Sequence, residues 1–470
     1  MNIPLIIVVL YMIALFAISF YASKLASKGS EHYILAGRNL TTPIVAVTIV
    51  GLAIGAASTI GVSEQAFDVG LSAGWYTASW AAGAIIMGLV AAGKYREFNV
   101  TTVPELFERF YDTRSRVICV ISQIIIQMVI TSLQYVAGGA ILASLLPDIF
   151  TLKTGMIFSA LVFIGITFIG GMWSAGLSNL LNVALIYIGI TVATFLVISG
   201  QGGLENIALQ LPSEVPYFHP INGLGWIVIA GWFAVMITQT LSLQGTVQIS
   251  FGAKDAKTAK NGFVIGGLLM IPIGFLSAYL GIAAKAAMPE ISATLALPQV
   301  IMSLNPIIAG VTLAALWAAD VSTACNLLLS SATLFSQDIY KRFLNPDISE
   351  KKYMLITRLT VFIIGIITFG LALTVQGILR TIMIGLSLTT AFTVVFLFTV
   401  FLPKLCRKNS AFYTTLVGIA VLVLWQFVPA IRIFPHVIYM EWIACVSTFL
   451  LTAALDKVPH QQLVQVAEHS

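Results

Sequence analysis

Residues 51–61 read GLAIGAASTIG and lie in the middle of a stretch that is apolar enough to cross a membrane. Three glycines weaken a helix there, because each Gly costs about 1 kcal/mol relative to Ala in a helix interior. A broken helix is tolerated in a membrane only where it lines a cavity or binds something, and its freed carbonyl oxygens are ligands for hard cations. Small residues also let two helices pack closely, so this stretch alone leaves both interpretations open.

The composition around this stretch indicates a polytopic membrane protein. Of the 470 residues, 59% are hydrophobic and only 9% are charged, and the mean hydropathy is +0.97. These values lie far outside the range of soluble domains. We therefore expect an integral membrane protein surrounded by lipid, and turn signals divide its apolar stretches into thirteen membrane-spanning helices. The predicted helices are 3–23, 41–67, 73–93, 116–146, 154–170, 175–200, 223–251, 260–287, 305–336, 355–376, 379–402, 410–428 and 433–455.

The distribution of Lys and Arg predicts the orientation of these helices. With the N-terminus outside, the 24 Lys and Arg residues fall in loops assigned to the cytoplasm, except for Lys153, Lys285, Arg380 and Arg432. The positive-inside rule therefore predicts an outer N-terminus and a cytoplasmic C-terminus, and we expect a prokaryotic cell membrane. The net charge of +5 then reflects topology, so we expect no nucleic-acid partner.

The sequence contains little that is typical of an enzyme. Its four cysteines have no paired spacing, which predicts neither a disulfide framework nor a transition-metal site. We find no Cys/His cluster, phosphate loop or nucleophile elbow, so we expect a protein that is not an enzyme.

A second polar stretch, AADVSTACN at residues 318–326, lies in the predicted helix 305–336. The adjacent hydroxyls of Ser322 and Thr323, with the carbonyl of Ala319 one turn earlier, can present three oxygens to a common point. A hydroxyl pair in a membrane helix often bonds back to its own backbone instead, so this pair is a weak signal alone.

Several motifs along the chain match one known family. They are Tyr33-Ile-Leu-Ala-Gly-Arg38, Gly61 to Gly70 with Ser63 where proline is usual, Gln244-Gly-Thr-Val-Gln248 with Ile249 replacing arginine, Gly281 to Pro289, and Ser322-Thr323 followed by Asp338-Ile-Tyr-Lys341. In these motifs, and over about residues 1–455, the chain resembles the sodium/solute symporters. Helix lengths also show a weak twofold symmetry, which is typical of inverted-repeat transporters.

The resemblance implies an all-α fold of the LeuT type, in which two five-helix repeats are related by inversion. The expected parts are a leading helix and loop at 1–40, repeats at 41–222 and 223–403, and two trailing helices with a short tail at 404–470. It also implies a sodium ion held by the backbone carbonyls of Gly51, Ile54 and Ala319 and the hydroxyls of Ser322 and Thr323. The glycines of 51–61 would then let the helix unwind and lend its carbonyls to sodium.

Two departures from the family pattern concern carboxylates. Where some members carry an aspartate for a further cation, this chain has Ser178-Asn179-Leu180-Leu181-Asn182, which argues against a second sodium there. Conversely, Asp320 lies beside the expected sodium ligands, where an apolar residue is usual. A carboxylate inside a membrane is a candidate functional group, so Asp320 is a candidate for coupling through a proton, a cation or a cationic part of the solute. The structural alternative is a hydrogen bond from Asp320 to a neighbouring helix.

The sequence gives less specific evidence for the solute site than for the sodium site. The resemblance places Ser58, Thr77 and Gln239 where relatives contact sugars or sialic acid, and Tyr76, Trp80 and Gln134 are candidates for further lining. Such groups hydrogen-bond a small polar organic molecule. No Arg or Lys lies at mid-membrane to bind a carboxylate, which disfavours a strongly anionic solute.

The sequence therefore predicts sodium-coupled symport of a small polar solute into the cell by alternating access. A proton-coupled or facilitative carrier on the same fold is the alternative. A sensor is a third possibility, because some relatives join this membrane domain to a histidine kinase. Only the polar stretch Asp456–Ser470 follows the last predicted helix, so we expect no such added domain.

Overall fold

The computed structural model describes residues 3–375 and 377–456, and its regular structure is helical. Over these residues the only strand-like pairing is one parallel bridge between Leu40 and Ala253. The predicted cytoplasmic tail, from residue 457 onward, lies outside the described residues.

The first ten helices run from the N-terminus to the middle of the chain. They are α1 Ile3–Ala26, α2 Ser30–Leu35, α3 Thr42–Ala53, α4 Val62–Val69, α5 Trp75–Ile86, α6 Ala92–Phe98, α7 Val103–Phe110, α8 Thr113–Leu145, α9 Leu152–Gly200 and α10 Gly203–Leu209. Wider π-helical turns at Ala57–Gly61 and Met87–Ala91 extend α4 and join α5 to α6.

The second ten helices complete the bundle. They are α11 Trp226–Ser242, α12 Gln244–Gly252, α13 Ala256–Ala287, α14 Ala296–Met302, α15 Pro306–Thr333, α16 Glu350–Ala372, α17 Ile378–Ser387, α18 Thr389–Phe401, α19 Ser410–Phe427 and α20 Val437–Leu455. A π-helical segment, Leu334–Leu344, continues α15. The short helices α2, α7, α10 and α14 lie in segments where the sequence predicted no separate helix.

Ten helical segments of the described chain are long and apolar enough to cross a membrane, or eleven if α11 and α12 form one bent span. The predicted number of thirteen stays a prediction. Helix α9 has 49 residues, which corresponds to about 74 Å, whereas the hydrocarbon core is about 30 Å thick. A straight α9 would therefore be too long for one crossing.

A sharp bend at Gly171 divides α9. Gly171 has φ 54° and ψ −141°, and a Cβ at this position would lie 2.5 Å from the carbonyl oxygen of Tyr33. Only glycine combines this backbone with so close an approach. The predicted helices 154–170 and 175–200 therefore meet at one residue, and the connecting segment we expected at 171–174 is helical.

The predicted continuous helix 223–251 is wrong, because the chain breaks at Leu243. This residue is extended, with φ −69° and ψ 127°, and it separates α11 from α12 at an angle of 48°. The sequence offers no proline here, so the break depends on tertiary contacts described below.

Helix α15 lies at the centre of the bundle and packs against α1, α8 and α9. Every residue from Thr312 to Thr333 is buried. A helix that is apolar on all faces is typical of a core position, and polar residues on such a helix must find partners inside the protein. The site residues of α15 are therefore enclosed by protein.

An ionic cluster surrounds the N-terminal end of α8. Arg116 donates to Asp338 of Leu334–Leu344 at 2.6 Å and also to Glu108 of α7, while Arg342 donates to Glu108 at 3.0 Å. Partial burial raises the pKa of Glu108, but hydrogen bonds from Arg342, Arg116 and Thr113 outweigh this and lower it to about 2. The cluster joins α7, α8 and the continuation of α15 on one face of the bundle.

Candidate functional site

The helix that contains residues 51–61 is broken at its middle. Helix α3 ends at Ala53, Ile54 has non-helical dihedrals of φ −91° and ψ 80°, and helical structure resumes at Ala57. Among the described residues no hydrogen bond reaches the buried carbonyl oxygen of Ile54. The opening stretch therefore contains an unwound segment with an available carbonyl, the interpretation that the family resemblance implied and that the glycines alone left open.

Two hydroxyls of α15 contact the end of α3. Ser322 Oγ donates to the carbonyl oxygens of Gly51 at 2.7 Å and Ala319 at 2.9 Å. Thr323 Oγ1 lies 3.0 Å from the Gly51 oxygen and 3.1 Å from that of Leu52. Four of the five expected sodium ligands are thus in mutual contact, and all four residues are buried.

Ile54 is the fifth expected ligand. It is fully buried and lies three residues after Gly51, in the unwound segment that follows α3. No hydrogen bond joins Ile54 to Ser322 or Thr323 in the described structure. Its role as a ligand stays a prediction.

Gly55 allows this close packing. A Cβ at position 55 would lie 2.6 Å from Gln134 Oε1 and 2.9 Å from Thr323 Cβ, and even closer to Thr323 Oγ1. The same Gln134 Oε1 accepts the backbone N–H of Ala56 at 2.8 Å. Glycine is therefore required at position 55 so that α8 and α15 can both reach the broken helix.

A narrow cavity adjoins this junction; in this conformation its free space is close to that of a single water, so an organic solute would require it to widen. Its walls come from the broken α3, from α5, α8, α11, α15 and α17. The lining residues are Leu52, Ala53, Gly55, Ala57, Tyr76, Trp80, Ile130, Gln134, Gln239, Leu243, Thr323, Leu327, Ile382 and Leu386. Thr323 belongs to both the hydroxyl pair and the cavity wall, so the ion site and the cavity share a residue.

Four of the six expected solute contacts line the cavity: Tyr76, Trp80, Gln134 and Gln239. No lining side chain is charged. Gln239 Nε2 donates to Thr240 Oγ1 at 3.0 Å, while Gln239 Oε1 is buried without a hydrogen-bond partner among the described residues. A mostly apolar cavity with one free acceptor suits a small solute that carries hydroxyl or N–H groups.

The other two expected contacts, Ser58 and Thr77, are not among the lining residues. Ser58 Oγ donates to the carbonyl oxygen of Ala53 at 2.5 Å and so caps the end of α3. Thr77 faces α13, where a Cβ on Gly274 would lie 2.7 Å from its hydroxyl oxygen. In this conformation both side chains serve helix ends and packing, and their contact with solute stays a prediction.

Asp320 is enclosed between helices. It is fully buried, and neither carboxyl oxygen has a hydrogen-bond partner among the described residues. The hydrogen bond to a neighbouring helix, which was the structural alternative, is therefore absent from the described structure. Asp320 precedes Thr323 by one turn of α15, so it lies near the hydroxyl pair but is not part of the cavity wall.

Asn179 occupies the position of the missing carboxylate, and Asn182 lies one turn after it on α9. A Cβ on Gly51 would lie 2.5 Å from the Asn179 amide group, so α9 reaches the end of α3 directly. Asn182 Nδ2 lies 3.3 Å from Asn179 Oδ1 and 3.4 Å from the carbonyl oxygen of Ala318, and Tyr11 of α1 donates to Asn182. Neutral amides thus connect α1, α9, α3 and α15 behind the hydroxyl pair.

A glutamine that sequence reasoning missed holds the second broken helix. Gln123 of α8 donates through Nε2 to the Ser242 carbonyl oxygen at 2.8 Å and accepts the Gln244 N–H at 3.0 Å. These two bonds satisfy the backbone groups on either side of Leu243. Three glutamines in one predicted helix, at 123, 127 and 134, were the available signal.

A wider cavity, which we call the vestibule, lies beyond the central cavity. It is lined by Gln65, Leu224, Val228, Trp232, Leu379, Arg380, Met383, Ile384, Trp425, Arg432, Phe434, Pro435, His436 and Val437. Trp232 contacts Tyr76 of the central cavity in an edge-to-face arrangement with ring centroids 6.1 Å apart. This aromatic pair and α17, which lines both spaces, separate the vestibule from the cavity.

Comparisons with known proteins agree with this arrangement. The profile described as "Sodium:solute symporter family" matches residues 33–418. A sodium/glucose cotransporter of Vibrio parahaemolyticus is 25% identical over 406 residues, covering 76% of this chain and 71% of that protein. A sodium/proline symporter of Staphylococcus aureus is 23% identical over 388 residues, covering 78% and 74%.

Solved structures show the same fold. A Na+-coupled sialic acid symporter in a substrate-bound outward-open state matches 98% of this chain and 99% of its own, with a TM-score of 0.82 and 21% identity. A nucleobase-cation-symport-1 transporter in a closed conformation matches with a TM-score of 0.63 and 13% identity. These likenesses confirm the all-α, LeuT-type fold. The chain, an integral membrane transporter and not an enzyme, belongs to the sodium:solute symporter family.

Proposed function

We propose that this protein carries a small polar organic solute into the cell together with sodium, by alternating access. One observation carries the proposal: the hydroxyls of Ser322 and Thr323 meet the Gly51 carbonyl of a broken helix directly beside an uncharged cavity. Broken helices that supply carbonyl oxygens at a cavity are a recurrent design of coupled transporters.

The proposed sodium ligands are the carbonyls of Gly51, Ile54 and Ala319 and the hydroxyls of Ser322 and Thr323. These are five neutral oxygens, which suit a hard monovalent cation that must also be released. In the described structure the two hydroxyls donate to carbonyl oxygens. To bind sodium, their hydrogens would rotate away from these carbonyls, so that the lone pairs of the hydroxyl oxygens face the ion. The Ile54 carbonyl, which accepts no hydrogen bond in the described structure, would complete the set.

Sodium and solute would be coupled through shared residues. Thr323 contacts the end of α3 and also lines the cavity, and Gly55 of the unwound segment lines the same cavity. Sodium that joins α3 to α15 would therefore also fix two parts of the solute pocket. By linkage each ligand raises the affinity for the other, typically by 1–3 kcal/mol.

The solute is proposed to be uncharged or zwitterionic, because no charged side chain lines the cavity. The named relatives carry glucose, proline and sialic acid, which all bear hydroxyl or N–H groups. We propose that Gln239, Gln134, Tyr76 and Trp80 contact the solute in this conformation. Ser58 and Thr77 would do so only after the ends of α3 and α5 move.

We also propose the orientation that the positive-inside rule predicts, with the N-terminus outside and the C-terminus in the cytoplasm. The vestibule then opens to the outside. The Tyr76 and Trp232 pair would form the outer wall of the solute cavity, and its separation would admit the solute.

Uptake into proteoliposomes tests the function. Purified protein would be supplied with labelled glucose, proline, sialic acid and other small sugars, amino acids and organic acids, under inward gradients of sodium or potassium. We expect sodium-dependent accumulation of one solute class. Accumulation that follows a pH gradient and ignores sodium would instead favour a proton-driven carrier, and specific binding of a solute without uptake would favour a sensor.

A further inference from the structure

A second membrane-embedded carboxyl group lies far from the sodium and solute site, in the trailing hairpin of α19 and α20. Glu441 is in the second turn of α20, which packs chiefly against α19 and α18. Its side chain is fully buried, and the residues around it in the sequence are almost entirely apolar. Carboxyl groups inside a membrane are rare and expensive, so a buried one needs a physical reason.

The Glu441 carboxyl group sits where three helices meet. A Cβ on Gly418 of α19 would lie 3.2 Å from Glu441 Oε2, 3.5 Å from Cys445 Sγ and 3.1 Å from the Cβ of Ala391 in α18. Cys445 Sγ lies 3.6 Å from Glu441 Oε2 and 3.9 Å from the Thr414 carbonyl oxygen. The carboxyl group therefore points along α20 toward the level of Thr414, and a small residue at 418 makes room for it.

Three oxygens at this junction lack partners. Glu441 Oε1, Thr414 Oγ1 and Thr415 Oγ1 are buried, and none has a hydrogen-bond partner among the described residues. Thr414 and Thr415 precede Gly418 by four and three residues, so all three lie on the face of α19 that meets α20. The junction thus holds a carboxyl group and two hydroxyls, which can accept a hydrogen bond from a protonated carboxyl.

In the part of the chain that the structure describes, no cation balances a negative charge at Glu441. The elements that pack most against α20 are α11, α17, α18 and α19, and their titratable side chains are Arg380 of α17 and Tyr413 of α19. Both are exposed, and Arg380 lines the vestibule. On α20 itself the titratable neighbours are Tyr439 and Cys445, neither of which can supply positive charge.

Two candidates for a cation precede α20. Arg432 donates to the carbonyl oxygens of Trp425 and Gln426 at 2.9 Å, so its guanidinium group is held at the end of α19. His436 caps the start of α20. Burial lowers the pKa of His436 to about 4, so its imidazole is neutral at physiological pH. Its Nδ1 accepts the backbone N–H of Ile438 at 3.2 Å, which places the ring proton on Nε2. An ionised Glu441 would therefore be an uncompensated buried charge.

We propose that Glu441 is a proton-binding site, in which a neutral carboxyl group is enclosed where α20 meets α18 and α19. A proton fits this junction better than a metal cation, because Cys445 Sγ lies 3.6 Å from Glu441 Oε2 and the space beside Gly418 is too narrow even for a methyl group without close contacts. Water in the vestibule is the source of the proton. Val437 lines the vestibule, and Glu441 follows it by four residues, or about 6 Å along the helix.

This site would make the trailing hairpin sensitive to pH. Loss of the proton would leave a charge between three helices. Movement of α20 toward the vestibule would let water solvate that charge with the smallest rearrangement. Helix α18 follows α17, which lines both the vestibule and the central cavity. The site is independent of the sodium ligands, and its existence does not depend on the proposed transport activity.

Infrared spectroscopy of the purified full chain in lipid tests the proposal. A protonated carboxyl group gives a C=O band separate from that of a carboxylate. We expect a component of this band at about pH 7 that is lost in Glu441→Gln, while the component from the buried Asp320 remains. The lost component should persist in the matched variant Glu64→Gln, whose carboxyl group accepts hydrogen bonds from Thr294 and Ile378. A wild-type spectrum with no band sensitive to Glu441→Gln between about pH 5 and pH 9 would overturn the proposal. A band that sodium or potassium chloride abolishes would show a cation site and would also overturn it.

Thermal unfolding gives a second measurement. Glutamine is neutral in both the folded and unfolded states, whereas Glu441 must take up a proton to fold once the pH exceeds its unfolded pKa. We therefore expect Glu441→Gln to have a higher Tm than wild type at about pH 8 and a difference that shrinks toward about pH 4. A Tm that falls equally at both pH values would contradict proton uptake. If Glu441→Gln is not monodisperse, Thr415→Val tests the same junction by removing one acceptor and shifting the infrared band.

Discussion

Gln134 Oε1 accepts the backbone N–H of Ala56 at 2.8 Å, across the break that separates α3 from α4. Gln123, on the same helix α8, makes two bonds across the break between α11 and α12. One helix, α8, therefore pairs backbone groups beside both breaks. In the membrane interior no water can replace these bonds, so each glutamine stabilises an unwound segment that would otherwise be costly.

Replacing Gln134 tests this stabilisation. Gln134→Leu leaves the Ala56 N–H buried and unpaired, which costs about 1–3 kcal/mol. Because the unwound segment supplies proposed sodium ligands, we expect sodium affinity to fall by roughly 5- to 150-fold. Sodium-induced stabilisation of the purified protein measures this. Gln299→Leu on α14 is the control, because its amide lies outside both breaks, and an equal loss in that variant would point to general destabilisation.

Gly55 is the second test of the broken helix. Gly55→Ala places a methyl group against Gln134 Oε1 and Thr323 Oγ1, so α15 must move away from α3. We expect loss of sodium-dependent uptake and a lower Tm. Gly370→Ala on α16 is the matched control, since a Cβ there meets nothing within 4 Å. Normal sodium activation in Gly55→Ala would mean that Thr323 need not approach the unwound segment.

Gln239 tests the solute cavity separately from the ion site. Its Oε1 is a buried acceptor without a partner in the described structure, so a solute donor would bind there. Gln239→Leu should raise the KM for the solute about 10-fold or more and leave sodium-induced stabilisation unchanged. A KM equal to that of wild type would remove Gln239 from the solute site.

The low pKa of Glu108 predicts how the stability of the folded state depends on pH. Its pKa of about 2 lies below the ordinary value of 4.5, so the ionised group stabilises the folded state above pH 4.5. This contribution is lost as the pH falls from 4.5 through about 2. Wild type should therefore have a higher Tm than Glu108→Gln at neutral pH, with a difference that vanishes in strong acid. The effect will be modest, because the carboxylate is only partly buried and its partner Arg342 is half exposed, so solvent screens the pair.

The sequence predicted the parts of the fold that depend on local composition. The apolar stretches predicted the membrane helices, and the resemblance, rather than the glycines of 51–61 alone, predicted the break now seen at Ile54. The hydroxyl pair at 322–323 lies against Gly51, as the resemblance implied. Whether sodium binds there stays a prediction.

Features that depend on contacts between residues far apart in the sequence could not be predicted from it. The break at Leu243 needs Gln123 of another helix, and no local residue marks it. Ser58 and Thr77 have polar side chains on the expected helices, but one caps α3 and the other packs against α13. Glu441 was not singled out, because its burial follows from how α20 packs against α18 and α19.

The most direct test of the central claim is thermal unfolding of the purified protein in sodium chloride and in potassium chloride at equal ionic strength. A ligand that binds only the folded state raises its Tm by mass action, so this test needs no knowledge of the solute. We predict that sodium raises the Tm of wild type and of Thr312→Ala, which loses a comparable buried hydrogen bond elsewhere on α15, but not that of Thr323→Ala. A Tm that rises equally with both salts, or a rise that survives in Thr323→Ala, would contradict sodium binding at this site.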